Sequence, residues 1–346
     1  MAKHILGQLA AVVIAFALSA VLILLAGKDP LLAFGAMAQS ALGSANGLSE
    51  TLLRMVPLAL CAIGISLSFR AGVFNTGAEG QLYIGGVTAA AIGTALAGTD
   101  AFITMPAMIL GAAIAGAFWS GIAGALKLRF GADELITTIM LNYIAIFFVG
   151  FLLHGPLRAD GSALAQTARL TAEARLPVLV QGFRANWGIF LVILAALLAS
   201  LYLWRRTGGF RLRVVGQNPT AALNAGMNLQ KITLGAFLVS GALAGIAGYT
   251  EVAGVQRRMI ENLSPGYGYT AIIVALLGGT NPIGAVIAAF FFAALQVGAS
   301  AMESTAGVPS SLASVTQALV VLCLLARNAP VLLRNWLARH TPKTEA

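Results

Sequence analysis

Four polar side chains stand where the surrounding sequence is almost wholly apolar. Asn75, Glu79 and Gln81 lie within FRAGVFNTGAEGQLYIGG at 69–86, and Asn142 sits in the middle of a later apolar run. A carboxylate can accept from a sugar hydroxyl or polarise water. A side-chain amide offers donor and acceptor together, as a ribose or a nucleobase requires. The same groups can satisfy the backbone where a helix breaks. For Glu79 the structural roles open are capping the amides of a broken helix and pairing with Arg70. Thr137 and Thr138, about one turn before Asn142, are expected to bond carbonyls of their own helix, which leaves Asn142 to line a path. Gly72, Gly77, Gly80, Gly85 and Gly86 read as points of close helix approach, with Gly77 also able to supply an unusual backbone angle. An ionisable group at membrane depth is costly unless paired or wet, so the pattern points to a route for a polar solute through a membrane.

The elements that must hold these residues are transmembrane helices. Of the 346 residues, 59% are hydrophobic and 10% charged, where a soluble domain carries roughly 25% charged residues. Surface-to-volume scaling leaves no interior large enough to hide that much apolar surface from water. Apolar runs of membrane length fall at 5–26, 52–69, 72–97, 102–126, 135–153, 187–204, 232–250, 283–301 and 311–326, with a shorter run at 266–278. The expected fold class is an all-α integral membrane protein of about ten transmembrane helices, some broken or re-entrant, in a single transmembrane domain over 1–346. The run at 5–26 is long for the apolar core of a signal peptide and no small-residue cleavage site follows it, so it reads as the first span. The 266–278 run is framed by Pro265, Gly266 and Gly268 before it and by Gly278, Gly279, Asn281 and Pro282 after it. It reads as a short helix between two breaks, either crossing or re-entrant.

Ten crossings put both termini on one side. That side collects Lys3, Arg70, Lys127, Arg129, Arg205, Arg206, Arg211, Arg213, Lys231, Arg327, Arg334, Arg339 and Lys343, a balance of roughly +10, while the other side comes to about zero; the positive-inside rule makes the first side cytoplasmic. The formal net charge of +9 is then a matter of topology and calls for no nucleic acid. A polar loop at 154–186, with Pro156, Pro177 and mixed charge, falls outside, where it can pack on the outer mouth or meet an external partner. A second at 205–231 falls inside. Within it Asn218 can cap a helix that has Pro219 at its first position, Ala221, Ala222, Leu223 and Ala225 favour that helix, and Gly226 ends it. The knob that results suits a groove on a cytoplasmic partner, and equally an ordinary interfacial helix.

Several function classes are excluded. The phosphate-cradling pattern GxxxxGK followed by Ser or Thr is absent, so the chain has no P-loop with which to hydrolyse ATP. No Ser/His/Asp constellation and no metal-ligand spacing is visible: His4, His154 and His340 are scattered near span ends, and Cys61 and Cys323 read as buried free thiols.

Two stretches carry a family resemblance. FRAGVFNTGAEGQ at 69–81 and VGQNPTAALNAG at 215–226 resemble the membrane permease subunits of bacterial ABC importers, in the family serving branched-chain amino acids, simple sugars and nucleosides, and the likeness is greatest to the nucleoside permeases. The GAEGQ at 77–81 stands where sugar permeases of the family tend to a Gly-Asp-Leu-Ser type segment and amino-acid permeases to an Asn-Phe-Ala-His type. The resemblance implies a type II-like fold and a multi-pass protein of the bacterial inner membrane with both termini cytoplasmic. It implies a second, homologous permease chain, a cytoplasmic ATPase that binds ATP and Mg, an external substrate-binding lipoprotein, and no cofactor on this chain. It implies a coupling segment comprising Gly216, Gln217, Asn218, Pro219, Ala221, Ala222 and Gly226. Gln217 and Thr220 depart from the Glu and the basic residue common in relatives, which weakens the expectation of specific salt bridges there and leaves docking of an ATPase open. The expected function is nucleoside import; sugar or branched-chain amino acid import, and an ion-coupled transporter using Glu79, are the alternatives.

Overall fold

The computed structural model describes residues 2–326. The charges at Arg327, Arg334, Arg339 and Lys343, and with them the side taken by the C terminus, lie outside the described residues. The chain is all-helical apart from loops and isolated bridges: α1 (Ala2–Leu25), α2 (Pro30–Leu42), α3 (Ala45–Arg70), α4 (Ala78–Ala95), α5 (Ala101–Phe130), α6 (Glu134–His154), α7 (Gly188–Arg205), α8 (Thr207–Gln217), α9 (Pro219–Asn224), α10 (Leu229–Thr250), α11 (Tyr267–Leu277), α12 (Pro282–Ala306) and α13 (Ser310–Ala326).

Every apolar run forms a helix, but length and hydropathy mark fewer than ten of them as full spans. Among the described residues six helices are long and apolar enough to cross a membrane: α3, α5, α6, α7, α10 with its extension to Gln256, and α12. Two of the shortfalls have clear causes. α4 begins with Glu79 and Gln81, which lower its hydropathy. α11 has 11 residues, about 16 Å of helix against a hydrocarbon core of about 30 Å.

The chain divides into two compact units, Ser49–Ala293 and the remainder. In the smaller, α1 packs on α13, and Ile23, Ala33, Met302 and Val308 form a core flanked by Phe34 and Met37. There α2 starts on the Asp29 side chain, which accepts from the Leu31 amide at 2.8 Å, with Pro30 in the first turn.

The larger unit is built around α4, most of whose residues are buried, including Glu79 and Gln81. Its polar first turn therefore meets protein rather than lipid. Small residues let α4, α5 and α10 touch through their backbones: an added methyl on Gly85 would strike the Gly245 backbone, one on Gly116 the Gly241 carbonyl, and one on Gly248 the Leu82 carbonyl. Asp100 and Asp133 cap α5 and α6 by accepting from the amides of Phe102 and Leu135, each at 2.8 Å. α10 runs on through a wide π-type turn, Glu251–Gln256. The loop at 154–186 lies along the chain that follows, with amides of Leu176, Leu170 and Thr167 donating to the carbonyls of Ala253, Arg257 and Met259 at 3.1, 2.8 and 3.0 Å.

Candidate solute path

Between α3 and α4 the chain leaves helical geometry from Ala71 to Gly77, and the polar residues of the sequence motif gather there. Asn75 is fully buried. Its amide pairs head to tail with that of Gln81: Nδ2 donates to Gln81 Oε1 at 3.2 Å, and Gln81 Nε2 donates back to Asn75 Oδ1 at 3.0 Å. Asn75 Nδ2 also donates to Ser240 Oγ on α10 at 3.0 Å, and Oδ1 accepts from the Gly77 amide at 3.0 Å. The break is thus tied to α4 and α10 by one side chain.

Asn142, also fully buried, ties it to α6. Its Oδ1 accepts from the Gly80 amide at 2.8 Å, which caps α4 from a neighbouring helix, since Gly77 ahead of α4 has no side chain to do so. Its Nδ2 donates to the Thr76 carbonyl at 3.0 Å and to the Tyr269 hydroxyl at 3.4 Å. Thr138 donates to the Glu134 carbonyl at 2.6 Å and Thr137 to that of Asp133, both within their own helix.

Glu79 and Arg70 do not pair with each other. They hold the two ends of α11. Glu79 Oε2 accepts from the Gly268 amide in the first turn at 2.6 Å, while Arg70 donates through Nε to the Thr280 carbonyl at 3.0 Å and through a terminal nitrogen to the Gly279 carbonyl at 3.1 Å. An acid at the N-terminus and a base at the C-terminus both complement the helix dipole. Gly266, the residue ahead of α11, is in the left-handed region at φ 92 and brings no cap of its own; Ser264 helps by accepting from the Tyr267 amide at 2.9 Å. Leu263 lies beside Gly86 and Gly268 beside Glu79, so the 257–280 segment descends along α4, irregular in its first half and helical in its second.

At the end of the unit marked by Arg70, α8 and α9 form the knob. Asn218 Oδ1 accepts from the Ala221 amide at 3.0 Å, with Pro219 at the first helical position. Gly226, at φ 71, closes α9: its amide donates to the Leu223 carbonyl and that of Met227 to the Ala222 carbonyl. Ala222 is buried, while Gln217, Asn218, Pro219, Thr220, Ala221 and Leu223 are exposed. Gly216 rests directly on the start of the break: an added methyl there would overlap the Arg70 carbonyl, and one on Gly72 would lie 3.2 Å from the Gly216 Cα. Arg70 and Arg213 both stand over the Trp204 ring, at 5.6 and 4.6 Å.

Residues 47–325, which hold the break, the α11 clamp and the knob, match the family described as branched-chain amino acid transport system / permease component. The chain belongs to this family. It is an ABC importer permease subunit for small polar solutes, a multi-pass membrane protein and not an enzyme. The permease is 38% identical to a glucose ABC transporter permease of Haloferax volcanii over 91% of this chain and 85% of that one. It is 35% identical to a guanosine ABC transporter permease of Bacillus subtilis over 92% of each. With a nucleoside ABC transporter permease of Lactococcus lactis subsp. cremoris the identity is 31%, over 92% of this chain and 90% of that one. No solved structure matches the chain.

The four sequence-chosen residues of the permease meet at one junction: Asn75, Gln81 and Asn142 around the break, and Glu79 in the first turn of α4, bonded to the start of α11. All have protein partners. Sequence reasoning missed Ser240, Ser264 and Tyr83, because nothing local distinguishes a hydroxyl that faces a distant helix. Nor does the sequence show that the π-type turn keeps Glu251 in the helix and 4% exposed. Among the described residues no group of His, Cys, Asp and Glu could hold a metal ion.

Proposed function

We propose that this permease imports nucleosides. The observation that carries this reading is near-full-length similarity to two permeases named for guanosine and for nucleosides. A second reading, sugar import, is favoured by the similarity to the glucose permease.

In this proposal the chain crosses the membrane about ten times, with α4, α11 and the terminal helices supplying the crossings that fall short in length or hydropathy, and both termini are cytoplasmic. It works with a second, homologous permease chain, a cytoplasmic ATPase that holds ATP and Mg, and an external substrate-binding lipoprotein, in a bacterial inner membrane. The solute passes along the face where α6 and α11 meet the break. There Tyr269, 39% exposed, is the accessible end of a hydrogen-bond chain that runs through Asn142 to the Gly80 amide. Asn75, Glu79 and Gln81 form the wall behind it. The exposed residues of the knob, Gln217 to Ala221, meet the ATPase, with Gly216 seating the knob on the body, Ala222 buried beneath it and Gly226 closing α9.

The test is uptake of labelled nucleosides by cells that lack their own system and express the permease with its neighbouring permease, ATPase and binding-protein genes. ATP-dependent uptake competed by unlabelled nucleosides, and not by sugars or amino acids, supports the proposal. Uptake competed by sugars alone replaces it with the second reading.

A further inference from the structure

Along α4 and α6, away from the break and toward the end of α6 that carries His154, lies a cavity of about 400 Å³ that nothing above has used. That volume suits a small molecule rather than a few waters. Two of its walls are the rings of Phe147 and Phe151, one turn apart on α6 and 73% and 67% exposed. Ile146, Val149 and Gly150 of the same helix complete the apolar side, and Tyr83, His154, Glu261 and Asn262 bring the polar groups. His154 Nδ1 lies 3.0 Å from the Gly150 carbonyl and 3.4 Å from Glu261 Oε1. Among the described residues no other group bonds Glu261, so its second oxygen is free to accept. Tyr83 stands one turn beyond Glu79 on the same face of α4, and its hydroxyl accepts from the Ser264 amide at 3.4 Å. The cavity is therefore bordered by the segment that leads into α11.

The lining combines two requirements that a surface facing only lipid does not have. Phenyl rings offer a flat face on which a planar heterocycle stacks whatever its substituents. A carboxylate oxygen with no other partner accepts from hydroxyls. A nucleoside brings both matching parts, a base with a π-face and a ribose with adjacent hydroxyls.

The geometry points to this cavity as an outer recognition site of the permease, where the base of a purine or pyrimidine nucleoside packs on Phe147 and Phe151 and the ribose hydroxyls bond Glu261. The assignment rests on the nucleoside reading above.

The experiment uses the assembled transporter in nanodiscs, without its binding protein, and measures binding of tritiated adenosine and of 2′,3′-dideoxyadenosine; uptake of adenosine by cells carrying the same transporter is followed in parallel. Phe147→Leu and Phe151→Leu are expected to weaken binding of both ligands at least fivefold. Glu261→Gln is expected to weaken adenosine at least fivefold and to leave the dideoxy compound unchanged. These side chains are exposed, and retention of the ATPase through purification checks that each variant is assembled. Wild-type affinity in all three assembled variants overturns the site, as does a wild-type transporter that takes up adenosine but shows no binding. A loss for Glu261→Gln that is equal for both ligands overturns the ribose contact. A wild-type transporter that takes up no adenosine overturns the nucleoside reading itself, and the site with it.

Discussion

Glu79→Ala is the sharpest probe of how the break works. In the permease the Glu79 carboxyl accepts from the Gly268 amide at 2.6 Å in a buried setting. Truncation removes that acceptor and leaves a buried donor at the start of a helix whose own preceding residue, Gly266, has no side chain. Leaving such a donor unmet costs about 2 kcal/mol, or roughly a 30-fold rise in the fraction of molecules with the first turn of α11 open. Glu79→Gln keeps an acceptor oxygen in place and should cost less than half as much. The assay is hydrogen exchange by mass spectrometry on the transporter in nanodiscs, read on peptides covering 262–277, with solute uptake measured on the same variants. Faster exchange confined to those peptides in Glu79→Ala, with Glu79→Gln close to wild type in both exchange and uptake, is the expected result. Unchanged exchange in Glu79→Ala would refute the capping argument. A Glu79→Gln protein with wild-type exchange and no uptake would refute it from the other side, by giving the carboxyl a duty in transport itself.

Three further outcomes follow from the same geometry. Asn142→Leu removes both the acceptor for the Gly80 amide and the donor to Thr76, and should destabilise by about 2 kcal/mol; Asn142→Asp keeps the acceptor alone and should fall between it and wild type, in the thermal midpoint of the detergent-extracted protein and in uptake. Gly245→Val drives a side chain into the Ala112 carbonyl and forces α10 away from α5 at a cost of about 3 kcal/mol, visible as loss of monodisperse protein after extraction. Asn218→Ala strips the α9 cap and should cost about 1 kcal/mol, read as weaker retention of the ATPase on purification, with Asn218→Asp retaining it at the wild-type level.

Much of the helical scaffold was legible in the sequence because its determinants are local. Asp100 and Asp133 each accept from an amide two residues on, and Asn218 from one three residues on. Pro265 and Gly266 before α11, and Gly278 and Gly279 after it, mark the helix to within a residue or two. The purpose of the polar motif was not legible in the same way. Glu79 finds its partner 189 positions away, and Arg70 finds one of its two 209 positions away; no spacing rule reaches that far. Pairing Arg70 with Glu79 was reasonable from their nearness in sequence, but the two residues flank the break and turn to opposite ends of another helix. The number of crossings was not legible in the same way, because α4, with Glu79 and Gln81 in its first turn, is mostly buried in protein, and hydropathy alone does not say whether such a helix spans.

The meeting of Gly216 with Arg70, Ala71 and Gly72 is a joint made of two main chains, with no side chain between them. Such a joint has no chemical preference of its own and is indifferent to the residues on either side, provided neither gains a Cβ at the contact. If, as proposed, the exposed residues Gln217 to Ala221 meet the ATPase, that face is free to drift with the ATPase, and the lining of the proposed solute route is free to drift with the solute. Exchange of 217–226 for the matching stretch of a relative should change which ATPase the chain accepts while leaving its choice of cargo untouched. In a transporter family that serves many cargoes, a backbone joint of this kind would let either surface change without the other.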